Sequence, residues 1–299
     1  MSPSPWAFQA HALSWLVVVA AAVGYWRVLR RGGIDATRRE VLAFAGGLAA
    51  ALVALTWPLA DLARGSLTAL VCQRLLLLLA VPGLLMVGLP EALVVRWTRP
   101  RVIDSLVRWC SRPPIAVPLV TTCAVATLTT AAVDASASQA VVRAALDAVL
   151  VAAGSVLWLP VARGFPATHR PSPLGRAGYL IVQSIVPSFL AIVWIFARHP
   201  LYPAFAHSAT IGGVSAVLDQ QLAGFVAKFA TIAVLWAVAF VGLSRAHLLG
   251  AAGEDADPLR WADVQRQFER ADRAQRPKSA WFPGARPGET GAASAAEDH

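Results

Sequence analysis

The sequence predicts an all-α, polytopic membrane protein of seven transmembrane helices, with its N-terminus outside and its C-terminus in the cytoplasm. Three observations lead there. Of 299 residues, 57% are apolar and 14% charged, against about 45–50% and about 25% in a soluble domain. The apolar residues gather into long runs near the ~20 residues that carry a helix across a bilayer core. Basic residues gather in alternate gaps between those runs, the asymmetry that sets orientation.

The runs are Phe8 to Trp26, Val41 to Ala60, Leu67 to Pro90, Ile115 to Val133, Ala144 to Val161, Ala177 to Ala197 and Leu222 to Leu243. Lipid admits only helices and closed barrels, because every backbone group must find a partner inside the protein. None of the runs shows the two-residue alternation of a barrel strand, so each is read as a helix. No Lys or Arg precedes the first run, while Arg27, Arg30, Arg31, Arg38 and Arg39 follow it. That is the reverse of a cleavable signal peptide, so the run is expected to remain as the first span. Arg96, Arg99, Arg101, Arg108 and Arg112 fill the third gap, and Arg163, Arg170 and Arg176 the fifth. Eight more basic residues lie in the tail, whereas the alternate gaps and span edges hold only Arg64, Arg143 and Arg198. Trp6, Tyr25, Trp26, Trp57 and Trp158 fall near span ends, where aromatic rings meet headgroups.

The chain is thus expected to divide into a transmembrane domain over 1–249, a cytoplasmic amphipathic helix over 250–276 and a disordered tail over 277–299. Asp257 with Pro258 can start the amphipathic helix. Leu259, Trp261, Val264, Phe268 and Ala271 then recur at helical spacing among arginines, which suits the inner leaflet.

Several function classes drop out. The net charge of +9 comes from 24 Arg and 2 Lys in short loop clusters, not along a groove, so no nucleic-acid partner is expected. Cys72, Cys110 and Cys123 are odd in number and widely spaced, without a disulfide framework or zinc pattern. Phosphate-binding glycine loops, HExxH and nucleophile elbows are missing, so the chain is not expected to be an enzyme.

Polar groups inside spans are costly and therefore functional candidates. The third span carries Cys72, Gln73 and Arg74, the fifth Asp147 one turn from Arg143, the sixth Gln183, and the seventh Asp219, Gln220, Gln221 and Lys228. At ~1.5 Å per residue, Arg74 lies about 10 Å below Leu67 and Lys228 about 14 Å below Asp219, placing both cations in the outer half. One expectation is structural: Arg143 pairs with Asp147, Asp219 neutralises Arg74 or Lys228, and Arg74 has a partner among Asp61, Asp147 and Asp219. Another is a polar cavity in the outer half, lined by Arg74, Lys228 and Asp219 and open to a ligand or ion. Cys72, His199 and His207 are the candidate metal ligands, with soft sulfur favouring Cu(I). The near absence of methionine, Met1 and Met86 only, argues against a methionine-rich copper path.

Two segments carry a family resemblance. Ser66 to Pro90, SLTALVCQRLLLLLAVPGLLMVGLP, resembles the third-helix signature of the CtaG-type cytochrome c oxidase assembly factors, roughly H-M-x-Q-H-L-L-L followed by a-P-x-L-L-x-x-G-x-P. Leu218 to Phe229, LDQQLAGFVAKF, resembles their D-Q-Q-x-x-G-x-x-M-W. Gln73, Pro82, Gly88 and Pro90 fit the first pattern, and Asp219, Gln220, Gln221 and Gly224 the second. Leu70 and Arg74 stand in the histidine places, Val71 in the methionine place, and Ala227 and Lys228 in the Met-Trp places. The resemblance covers residues 10 to 245. It implies a protein of the bacterial inner membrane that assists cytochrome c oxidase assembly through copper delivery, with a metal site altered or lost. Its implied partners are membrane lipid, an oxidase subunit and a periplasmic copper donor. The alternative is a transporter or channel-like protein built on the Arg74, Lys228 and Asp219 cavity.

Overall fold

The computed structural model describes residues 11–162, 165, 171–206, 213–256, 265–266 and 268–270, and among these no strand occurs. The chain divides into two units, Met1–His247 and Leu248–His299. The expected amphipathic helix of 250–276 lies largely outside the described residues, as do the whole of the 277–299 tail, Trp6 and His207.

Helix α1 (Ala12–Gly32) stops at Gly33, whose φ of 57° turns the chain while its N–H bonds the Leu29 carbonyl. That left-handed turn favours glycine because it lacks a Cβ. Helix α2 (Arg38–Leu55) starts at Thr37, where the Thr37 hydroxyl accepts from Glu40 N and Glu40 accepts from Thr37 N. This reciprocal cap satisfies two donors that a helix start leaves open. After the short α3 (Leu59–Leu62), helix α4 (Leu67–Leu75) begins at Ser66, whose hydroxyl accepts from Ala69 N at 3.2 Å.

The third span widens into a π-turn over Leu76–Ala80 before α5 (Val81–Val87). Pro82 has no N–H, so the Leu78 carbonyl loses its helical partner. The neighbouring Leu79 carbonyl accepts from Trp158 Nε1 at 2.9 Å. Trp158 therefore does not belong to an interfacial belt: only 8% of it is exposed, and its indole closes the loosened turn. Gly154 makes that approach possible, since a Cβ there would fall on the Leu78 carbonyl.

Two short helices follow, α6 (Glu91–Trp97) and α7 (Arg101–Cys110). The fourth span is broken: α8 (Pro113–Thr127) and α9 (Thr130–Ser138) meet at 56°. Helix α10 (Ala140–Trp158), helix α11 (Pro173–Phe196), the short α12 (Pro203–Ala206) and helix α13 (Ala216–Ala256) complete the chain. Six helices are long and apolar enough to cross a membrane, and the bent pair α8 and α9 makes a seventh candidate.

The spans are not equivalent. On α1 only Val18 is buried. By contrast Leu67, Leu70, Val71, Leu77, Leu78, Leu79 and Val81 of the third span are all buried, so it forms the centre of the bundle. Around it pack Ala116 and Val120 of α8, Leu150 and Leu157 of α10, Leu180 of α11 and Leu235 of α13. Lipid is as apolar as leucine, so such helices associate through close packing rather than through expulsion of water. Gly224 shows this on α13, where a Cβ would lie 2.7 Å from the Ala191 carbonyl and 2.8 Å from Ile195 Cγ1.

Candidate functional site

A broken or kinked span leaves backbone groups unpaired, and inside lipid these must be met by side chains. Of the polar residues singled out in the spans, Gln73, Arg74, Arg143, Asp219 and Gln220 do this work at one end of the bundle, where α4 and α13 begin and α8 breaks.

Asp219 sits in the first turn of α13 and faces the start of α4. Its Oδ1 accepts from the Ser66 hydroxyl at 2.8 Å and from Thr68 N at 3.3 Å, and its Oδ2 accepts from Leu67 N at 2.6 Å. The Thr68 hydroxyl donates back to the Asp219 carbonyl at 2.8 Å. A carboxylate on a helix N-terminus meets open N–H donors and the positive end of the helix dipole. The third and seventh spans do meet, but the expected tie between Asp219 and Arg74 or Lys228 is absent. Asp219 instead caps α4 from another helix.

Arg74 acts at the opposite kind of terminus. Its Nη1 donates to the carbonyl of Thr127, the last residue of α8 before the break. Tyr202 donates to the next carbonyl, Leu128, at 2.6 Å. Burial pushes the Tyr202 phenol up to about 12, so it remains a donor at neutral pH. A cation suits a helix C-terminus, where open carbonyls gather negative charge. Of Asp61, Asp147 and Asp219, it is Asp147 whose charge attracts Arg74.

Arg143 reaches back seven residues to Ser136 near the end of α9, with Nε at 3.1 Å and Nη2 at 2.6 Å from its carbonyl. The expected Arg143 to Asp147 ion pair gives way to this fork, although Asp147 still attracts Arg143 electrostatically. Gln73 Nε2 donates to the Ala54 carbonyl in the last turn of α2, at 2.9 Å. Gln220 Oε1 accepts from Leu201 N at 2.8 Å and its Nε2 donates to the His199 carbonyl at 3.4 Å, fixing the chain between α11 and α12. Asp61, buried, lies 3.2 Å from His11 Nε2 and 3.3 Å from Arg64 Nη1.

Deeper in the bundle a cavity of about 60 Å³ lies between α4, the π-turn, α8, α10, α11 and α13. Leucine is the commonest residue of its wall, which is apolar apart from Arg74, Thr127, Gln183 and Thr231, with Trp194 among the rest. Gln183 also lines it, 2% exposed, with Nε2 donating to Thr121 Oγ1 at 3.4 Å and Oε1 without a hydrogen-bond partner among the described residues. This is not the expected polar cavity: Lys228 and Asp219 are not among its walls, because the Asp219 carboxylate is held by α4.

Among the described residues no three of His, Cys, Asp and Glu converge on one point. Cys72 is a half-buried free thiol, His199 is exposed, and His207 lies outside the described residues. Lys228 and Gln221 are half-buried, and Lys228 makes no ion pair among the described residues. Ser66, an N-cap just before an apolar run, is a contributor that its position makes readable. Tyr202 and Thr127 are contributors that no local pattern marks.

A family model described as cytochrome c oxidase caa3 assembly factor matches residues 19–246. No curated protein and no solved structure matches the chain.

Proposed function

The chain belongs to the cytochrome c oxidase caa3 assembly factor family, and from that premise we propose that it assists oxidase assembly as a non-catalytic membrane scaffold. In this reading it lies in a bacterial inner membrane with its N-terminus outside, as the arginine distribution favours. The Asp219 end of the bundle then faces the extracytoplasmic side, where an oxidase subunit and a copper donor would be met. The observation that carries the reading is the family match over 19–246, joined to the roles of the shared residues. Gln73, Asp219, Gln220 and Gly224 hold helix ends and helix contacts in place.

Copper would be cargo here, and the described residues bring together no ligand set that fits it. Arg74 stands where the resembling signature has a histidine, and a guanidinium neither deprotonates to become a ligand nor tolerates an adjacent cation. The proposal is therefore a family scaffold whose metal site is altered or lost. Deleting the gene should lower haem-copper oxidase activity, and added copper should restore little of it. Normal activity in both media would overturn the assembly role. Purified protein should bind Cu(I) weakly or below one equivalent, whereas tight one-to-one binding abolished by Cys72→Ser or His207→Ala would overturn the altered-site reading.

A second reading, transport, is favoured by the buried Arg74 beside a cavity. The small size and leucine-rich wall of that cavity weigh against passage of an ion. A solute-uptake defect in the deletion strain, with normal oxidase, would favour it.

A further inference from the structure

Helix α7 joins the third and fourth spans and is too short, at 10 residues, to cross a bilayer core. With successive residues about 100° apart, Trp109, Val102, Leu106, Cys110, Ile103 and Val107 fall on one continuous apolar arc. Asp104, Arg108, Arg101 and Ser105 fill the opposite side. The bundle covers only part of the arc. Cys110 is buried beside Val94, Leu159 and Phe165, and Val107 packs on the same cluster. The remainder points away from the protein, with Val102 79%, Leu106 57%, Trp109 52% and Ile103 43% exposed.

Charge identifies what covers it. Arg96, Arg99, Arg101, Arg108 and Arg112 are all exposed along this connection, against Glu91 and Asp104. Asp104 is already engaged by Arg108. An apolar arc with surplus arginine on the opposite side and at both ends of the helix, held between the ends of two spans, matches the boundary between acyl chains and acidic headgroups. A soluble partner would have to compete with the membrane for a face that the flanking spans already hold at its surface.

We propose that α7 is an interfacial helix that binds anionic phospholipid: Val102, Ile103, Leu106 and Trp109 enter the headgroup boundary, and Arg99, Arg101 and Arg112 hold phosphate groups. The site is independent of the oxidase role and of the capped end of the bundle.

The test uses the full chain in nanodiscs of phosphatidylcholine alone or mixed with phosphatidylglycerol. Leu106→Cys, with the native cysteines replaced by alanine, carries a polarity-sensitive fluorophore. Its emission should shift to the blue and be quenched by bromines on the lipid tails. In the otherwise unaltered chain, phosphatidylglycerol should be enriched around the protein and raise its unfolding temperature. Replacing Arg99, Arg101 and Arg112 by Gln should reduce enrichment about fivefold for each arginine lost. Water-like emission in both lipids would overturn the proposal. So would equal behaviour in the two lipids, or protection of the label only when other membrane proteins are present, which would make the arc a protein-docking face. Should Leu106→Cys fail to accumulate, Val102→Cys supplies the same reading from the adjoining turn.

Discussion

The two polar regions of the bundle differ in how they hold one buried acceptor each, Asp219 at the helix ends and Gln183 at the central cavity. Where α4 and α13 begin, Asp219 accepts from three donors, and Arg74, Arg143, Gln73 and Tyr202 donate to carbonyls at or just beyond the ends of other helices. Around the central cavity Gln183 is also buried, yet its Oε1 has no hydrogen-bond partner among the described residues. The difference teaches that a charge in a span is not by itself a ligand site. Broken helices create a demand for polar side chains inside lipid, and residues that answer it are structural however functional they look in sequence.

That contrast is broken or sharpened by substitution. The largest effect belongs to Asp219→Ala, which strips three donors of one acceptor and should cost about 3–5 kcal/mol, comparable to breaking a buried charged pair. Unfolding in mixed micelles measures it, and a loss below 1 kcal/mol would equate the two regions. Next comes Arg74→Leu, which frees the Thr127 carbonyl and leaves Asp147 without its attracting cation, for a loss of about 2–3 kcal/mol. Parent-like stability and abundance of that variant would deny the cap.

Tyr202→Phe removes one hydrogen bond and should cost about 1 kcal/mol. Its phenol also carries a pH signature. The folded state holds the proton up to about 12, above the ordinary 10, so the bond's contribution is intact below pH 10 and declines as pH rises from 10 towards 12. The Phe variant should lose that alkaline dependence. The smallest effect is expected at Gln183→Leu, which removes an unpartnered acceptor from an apolar wall. Stability should stay level or rise by up to about 1 kcal/mol. A loss of several kcal/mol would mean that Gln183 is held as firmly as the caps.

Much of this architecture is legible in the sequence because hydropathy and arginine spacing report directly on lipid. The seven apolar runs correspond to six long helices and one bent pair, and the family resemblance is matched over 19–246. The break at Leu128 and Thr129 is not legible, since no Gly or Pro marks it. The pairing of charges is equally hidden. Sequence gives the depth of Arg74 and Asp219 but not which helix ends lie beside them, so an ion pair is the natural expectation where two separate caps occur. Trp158 reads as an interfacial ring for the same reason, because its partner, the Leu79 carbonyl, lies in a π-turn on another span. Arginine counting marks 96–112 as a loop, and only the period of Val102, Leu106 and Trp109 reveals the helix within it.

The central claim is that Asp219 serves the N-terminus of α4 and not the guanidinium of Arg74, and a pair of double-mutant cycles tests it most directly. Asp219→Ala combined with Ser66→Ala should show a coupling of about 1 kcal/mol or more, as expected for partners in contact. Asp219→Ala combined with Arg74→Leu should be additive to within about 0.5 kcal/mol. Strong coupling in the second cycle and none in the first would contradict the account.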